Sequence, residues 1–208
     1  MNRRTIHIVI ADDNRFFCEA LKDSLNIKDE FHVNATFSNL SELIDYTNAY
    51  EFNILILDIN FNGKSSLDFI PMMKKRNNNF KIIALTTLNN SYIKENAYKS
   101  GVDFFVGKDE DFKNFDKVIL NCIASDQKQL IRNKSKFKIG ECTFTKRKLE
   151  ILQQLYHHSD KNEKELAKIL NISTSSLKTH KQELFGITNT NNIQQLLKFG
   201  IQKGLIIT

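Results

Sequence analysis

Cysteine, proline and glycine are scarce in this chain: 208 residues hold three, one and seven of them. Cys18, Cys122 and Cys142 are too few and too scattered for a disulfide framework or for a zinc site of closely spaced ligands. They read as buried thiols in a reducing compartment. Long apolar runs are missing as well. The opening Met1 to Arg4 looks like the start of a secretion signal, yet the apolar run that follows lasts only from Ile6 to Ala11. No later stretch approaches the roughly 18 uninterrupted apolar residues of a membrane span. A cytoplasmic protein without a membrane segment is therefore expected.

Apolar residues make up 41% of the chain, enough to fill the cores of one large domain or two small ones. Charge is unevenly spread: residues 1–124 carry a net −2, residues 125–139 a net +4 and residues 140–208 a net +4. An acidic first part joined to a basic remainder suggests that only the second part meets a polyanion, since Lys and Arg near phosphates release condensed counterions.

Over the first 124 residues short β-branched runs alternate with amphipathic stretches, the pattern of βα units around a parallel sheet. Strands are expected at 6–10, 31–37, 53–57, 81–85 and 103–106, with helices at 14–26, 39–50, 66–77, 90–100 and 111–124. From 125 to 139 periodicity fades and lysine accumulates, which reads as a helix end running into a linker. Four helical segments follow at about 145–158, 163–170, 174–185 and 190–203, without a credible strand.

In an open parallel sheet, ligands gather beyond the carboxyl ends of the strands. Chemically suggestive residues fall there repeatedly. The first strand ends in Asp12 and Asp13, the third at Asp58 and the fourth at Thr86 and Thr87, and Gly107 and Lys108 follow the fifth. Three carboxylates at one edge repel each other unless a divalent cation sits among them, and hard oxygen ligands favour Mg2+. Such a cation would neutralise an incoming phosphoryl group and let one carboxylate form an acyl phosphate. Asp58 is the best nucleophile candidate because it stands alone at its strand end, whereas Asp12 and Asp13 form a pair suited to holding metal. Lys108 and Thr86 can bind phosphoryl oxygens. Singly, each of these residues is more often a turn former or solvated surface. Jointly, on four strands of one five-stranded pattern, they point to chemistry.

The segments IVIADD, LILDIN, IIALTT and GVDFFVGKD resemble the response-regulator receiver domain over roughly residues 5–124. The resemblance implies a five-stranded, doubly wound, flavodoxin-like α/β fold. It further implies that Asp13, Asp58 and the Asn60 carbonyl ligate Mg2+ with Asp12 assisting through water. Asp58 would be the phosphoacceptor, Thr86 the switch hydroxyl, Phe105 the switch aromatic and Lys108 the phosphate partner. The family usually has Met-Pro and then Gly after the phosphoacceptor, where this chain has Phe61, Asn62 and Ser66.

Residues 163–185 read as two short helices with a tight turn at Asn171 and Ile172, the second helix opening on Ser173 as its N-cap. Leu166, Ile169, Leu170, Ile172, Leu177 and Leu184 are expected to share a core. Ser175, Lys178, Thr179, Lys181 and Gln182 are left on the opposite face, short-chained and basic as a groove-reading helix requires. An ordinary helical hairpin with a solvated lysine face fits the spacing equally well. FTKRKLEIL and EKELAKILNISTSSLKTH, however, resemble the LuxR-type DNA-binding domain, over about residues 144–203. That resemblance implies a small all-α, four-helix domain whose recognition helix, 174–185, meets double-stranded DNA. Lys178, Thr179 and Gln182 would face bases, while Lys181 and His180 would touch the backbone or support packing.

Gly186 is expected to end that helix about one turn early. Lys146, Arg147 and Lys148 oppose the dipole of the helix they open, a cost that nearby phosphates would offset. Arg147 is thus expected to touch the DNA backbone, and Arg147→Ala to weaken binding to all sequences alike. In the last helix the stripe of Ile193, Leu196, Leu197, Gly200 and Ile201 is expected to be mostly core and partly a homodimer contact.

The chain is accordingly expected to be a two-component regulator of the NarL/LuxR type: receiver 1–124, linker 125–139, DNA-binding domain 140–208. A sensor histidine kinase would phosphorylate Asp58, and the chain's own catalysis would be confined to that self-phosphorylation and to slow dephosphorylation at Asp58. A phosphorylation-independent regulator with a degenerate receiver is the alternative, opposed by the intact pocket. An aspartyl phosphohydrolase is opposed by Asn60, which stands where the second acid of that motif would fall.

Overall fold

A computed structural model describes residues 5–76, 79–109, 112–124 and 135–206. They form two compact units.

In the first unit lie β1 (Ile6–Ala11), β2 (Phe31–Phe37), β3 (Ile54–Leu57), the two-residue strands β4 (Asn60–Phe61) and β5 (Lys64–Ser65), β6 (Lys81–Thr86) and β7 (Phe104–Gly107). The five longer strands make one parallel sheet in the order β2-β1-β3-β6-β7. Interleaved with them are α1 (Arg15–Asn26), α2 (Leu40–Ala49), α3 (Ile70–Arg76), α4 (Ser91–Ser100) and α5 (Phe115–Ala124).

The apolar runs of the sequence explain the sheet. All four residues of β3 are buried, as a strand covered on both faces demands. Ile8, Ile10, Ile54, Ile56, Ile83 and Leu85 pack with Leu21 and Leu25 of α1 and Phe115 and Ile119 of α5. Right-handed crossovers send α2, α3 and α4 to the other face, where Leu43, Met73 and Ala97 are fully buried. Asparagines punctuate the helices: Asn14 accepts from Phe17 N at the start of α1, and Asn39 from Ser41 N at the start of α2.

The second unit opens on an antiparallel hairpin, β8 (Lys136–Ile139) with β9 (Cys142–Thr145), then runs through α6 (Lys146–His157), α7 (Glu163–Ile169), α8 (Thr174–Thr188) and α9 (Ile193–Gln202). The four expected helices are present, but the expectation of no strand is corrected. In β8 Phe137 and Ile139 alternate with exposed lysines, a period of two that the lysine count concealed. The last residues of the expected 125–139 linker are thus strand. Residues 125–134 lie outside the described part of the chain.

Two further expectations are corrected. Ile169 is 47% exposed rather than core. The second helix of the pair does not stop at Gly186 but continues to Thr188, closing on Asn189 in the left-handed conformation with φ 52°. Buried Leu184 and Thr188 on one face carry it past the glycine, whose intrinsic cost in a helix is only about 1 kcal/mol. Gly200 has a reason of its own: a Cβ there would lie 2.5 Å from Ile206 Cδ1, so its absence lets the chain end fold back onto α9.

A Cβ on Gly186 would meet nothing within 4 Å. Gly186→Ala is therefore expected to stabilise the second unit by about 0.5–1 kcal/mol, read as a raised Tm. A lowered Tm would mean that the helix ends at Gly186 after all.

Candidate functional site

The chain reverses direction in the sheet between β1 and β3, neighbours from which β2 lies on one side and β6 on the other. Ligands bind at such switch points, beyond the carboxyl ends of the strands. Hydrogen bonds continue past the strand ends and fix the residues that matter. Asp12 N donates to Phe37 O at 3.0 Å, Asp58 N to Ala11 O at 2.9 Å and Lys108 N to Thr86 O at 2.8 Å.

Asp12, Asp13 and Asp58 each present a carboxylate oxygen, all within 4.8 Å of one another. Asp12 and Asp58 are buried, while Asp13 is exposed. Lys108 Nζ lies 2.5 Å from Asp12 Oδ2 and 2.7 Å from Asp58 Oδ2. Burial alone would lower the pKa of this ammonium, but its hydrogen bonds to the two carboxylates hold it above the ordinary lysine value. Burial pushes the Asp12 carboxyl up, against the bond from Lys108.

Backbone amides orient the acids. Asn14 N donates to Asp12 Oδ1 at 3.0 Å, Asn60 N to Asp58 Oδ1 at 3.2 Å and Asn62 N to Asp13 Oδ2 at 3.1 Å. The last bond depends on the hairpin of β4 and β5. Asn62 and Gly63, with φ of 52° and 72°, form its two-residue loop, and this residue pair suits a turn with both φ positive. The residues that depart from the usual pattern after Asp58 therefore build a structure of their own. Ser66, fully buried, donates its hydroxyl to Asp58 O at 2.5 Å and its amide to Ile59 O at 2.9 Å. This support was not foreseen, although a small hydroxyl residue in a loop after a strand-end acid is a signal for it.

Thr86 is fully buried and its Oγ1 accepts from Leu88 N at 3.2 Å. Phe105 is buried beside the same strand ends, with Lys94 Nζ 5.6 Å from its ring centroid. All the receiver residues singled out from sequence thus fall at or near one edge. The donor set, three carboxylates held by amides with one ammonium, fits a hard divalent cation such as Mg2+ and a phosphoryl group better than a soft metal. Cys18 and Cys122 lie outside it, their thiols pushed up by burial to about 11 and about 12, which makes them poor nucleophiles.

In the second unit α7 opens on a capping box, Asn162 with Glu165, and α8 starts on Ser173, whose hydroxyl accepts from Ser176 N. Asn171, with φ 52°, makes the turn between them. Ser175, Lys178, Thr179 and Gln182 share one exposed face of α8. Thr179 spends its hydroxyl proton on Ser175 O. Lys181 is drawn off that face to Glu163 Oε1 at 2.5 Å, with Lys178 Nζ 3.8 Å from Oε2. Lys148 reaches Glu183 at 3.0 Å.

Arg147 also makes contacts within the unit. Its guanidinium donates to Leu170 O at 2.7 Å, at the end of α7, and to Glu150 at 3.2 Å. The cation that opposes its own helix dipole thereby satisfies the terminal carbonyl of another helix.

Residues 8–120 match the family model of the response regulator receiver domain, and residues 142–199 that of bacterial regulatory proteins, luxR family. The chain is 25% identical over 198 residues to the nitrate/nitrite response regulator protein NarP of Escherichia coli, with 89% of each chain covered. It is 26% identical over 179 residues to the transcriptional regulatory protein DesR of Bacillus subtilis, covering 84% of this chain and 86% of the relative. In fold it is similar to RcsB from Salmonella enterica serovar Typhimurium bound to promoter rprA, with TM-score 0.59, 19% identity and 96% and 99% of the two chains covered.

The Arg147 contacts predict that Arg147→Ala lowers the stability of the second unit by about 1 kcal/mol, since one bond reaches a helix carbonyl and the side chain is partly exposed. Thermal unfolding checks this. An unchanged Tm together with a uniform loss of DNA affinity would assign the side chain to phosphates alone.

Proposed function

The chain belongs to the response-regulator family, a receiver joined to a LuxR-type DNA-binding domain, and on that footing we propose that phosphorylation of Asp58 switches its hold on double-stranded DNA. The observation that carries this reading is the pair of hydrogen bonds that Lys108 Nζ donates to Asp12 and Asp58, beside a third carboxylate, at the topological switch point. It also weighs against a receiver that works without phosphate.

The Asp58 carboxylate attacks the phosphorus of a phosphohistidine on a sensor kinase, or of a small acyl phosphate. The new bond is carboxyl O–P. The P–N or P–O bond to the donor breaks, and its electron pair leaves with the donor. Asp13, Asp58 and the Asn60 carbonyl would hold Mg2+, with Asp12 assisting through water, and the cation would supply the charge neutralisation that lets two anions meet. Lys108 turns an N–H from Asp58 to a phosphoryl oxygen. Thr86 rotates its hydroxyl from Leu88 N to another oxygen, and Phe105 packs behind it. The amide of Asn60 and the hydroxyl of Ser66 hold Asp58 in place meanwhile.

The receiver spans 1–124 and the DNA-binding domain 140–208. In the second, α8 enters the major groove with Ser175, Lys178, Thr179 and Gln182 toward the bases. Lys181 and Arg147 stand behind them, tied to Glu163 and Leu170. Paired half-sites are met by a homodimer, and the protein works in the cytoplasm. Among the described residues no helix is long and apolar enough to cross a membrane.

Incubation with acetyl phosphate and Mg2+ is expected to add one phosphoryl group to the intact mass of the wild type and none to Asp58→Asn. An equal adduct on both proteins would place the phosphoacceptor elsewhere, and no adduct on either would favour the phosphate-independent reading.

A further inference from the structure

Phe17 lies in the first turn of α1, and Lys108 Nζ sits 4.8 Å from the centroid of its ring. The ammonium has three N–H donors. Two of them serve Asp12 and Asp58, and the aromatic face covers a further side. The ring is itself fixed. It packs edge-on against Phe112 at 6.2 Å, Phe112 packs on Phe115 at 5.4 Å, and Phe17 N donates to Asn14 Oδ1 at 3.1 Å. Only 14% of the Lys108 side chain is exposed, so the attraction between cation and ring operates with little competing water.

The carboxylate partners of Lys108 are the groups that change when phosphate arrives. Asp58 becomes an acyl phosphate, and its oxygens no longer carry the charge that held the ammonium. The ring presents the same negative face before and after. We propose that Phe17 is a positioning residue of the phosphorylation site: its ring keeps the Lys108 ammonium over the pocket while the N–H bonds pass from carboxylate to phosphoryl oxygen. This rests on the reading of Asp58 as phosphoacceptor. A leucine at position 17 would fill apolar space but offer no quadrupole to the cation.

The rate of acetyl phosphate incorporation at fixed Mg2+, followed by intact mass on the full chain, tests the role. Phe17→Leu is expected to slow it about threefold to tenfold, the range of a partly desolvated cation–π contact. Phe17→Tyr is expected to stay close to wild type, and Phe17→Met to match Phe17→Leu, with thermal unfolding verifying that each variant is folded. In a Lys108→Gln background, assayed at higher phosphodonor concentration, Phe17→Leu is expected to cause no further loss. A Phe17→Leu rate equal to wild type, a Phe17→Tyr rate as slow as Phe17→Leu, or an undiminished effect in the Lys108→Gln background would each overturn the proposal. Failure of the underlying reading looks different: a wild type that takes no phosphate, or an Asp58→Asn variant that takes as much, brings down both.

Discussion

One ammonium group, on Lys108, lies between two buried carboxylates, and the first unit is arranged around that fact. Asp12 and Asp58 cannot be buried side by side as anions without a counter-charge, and stripping the cation from such a pair typically costs about 3–5 kcal/mol. The sheet pays nothing extra for the arrangement, because each participant is anchored through its own backbone by bonds that merely continue the strand ladder. With three carboxylates against one ammonium the cluster keeps excess negative charge and is poised rather than inert. A divalent cation and a phosphoryl group can replace the internal ion pair by one of similar charge, and the side chains that must turn, Lys108 and Thr86, already bond within the site.

The second unit solves a related problem with different means. Basic residues gather on α6 and α8, yet Glu163, Glu150 and Glu183 answer several of them within the unit. What stays open is the face of Ser175, Lys178, Thr179 and Gln182. Short polar side chains and one exposed lysine suit base edges and phosphates, whereas Lys181 ties α8 to Glu163 at the start of α7 and Lys148 ties α6 to Glu183 of α8. Reading and bracing are thus divided by how closely each lysine is held: Lys181 sits 2.5 Å from Glu163 and is largely covered, whereas Lys178, 3.8 Å from the same carboxylate, stays exposed.

Much of this was legible in the sequence because hydrophobic period and strand-end chemistry agree. Asp12, Asp13, Asp58 and Lys108 could be placed from the ends of apolar runs alone, while Thr86 was set apart from Thr87 by its spacing from Lys108 in the family resemblance. Misreadings arose where local preference and tertiary packing diverge. Gly186 looked like a stop, but burial on either side of it outweighs a modest intrinsic penalty. The lysines of β8 masked an alternation that only pairing with β9 makes visible. The bond of Arg147 to a carbonyl 23 residues away is likewise announced by no sequence pattern. Phe17 and Ser66 draw their roles from tertiary neighbours, since an aromatic face or a hydroxyl acts through what folding brings beside it.

The central claim is that the acid pocket and the DNA-facing helix are two ends of one switch. Its most direct test is the affinity for fragments selected from genomic DNA, measured at one fixed salt concentration before and after treatment with acetyl phosphate and Mg2+. Phosphorylated wild type is predicted to bind about 5–150-fold more tightly than untreated protein, the usual range of coupling between two sites, with Asp58→Asn unmoved by the treatment. Equal affinity of the phosphorylated and unphosphorylated wild type would contradict the account.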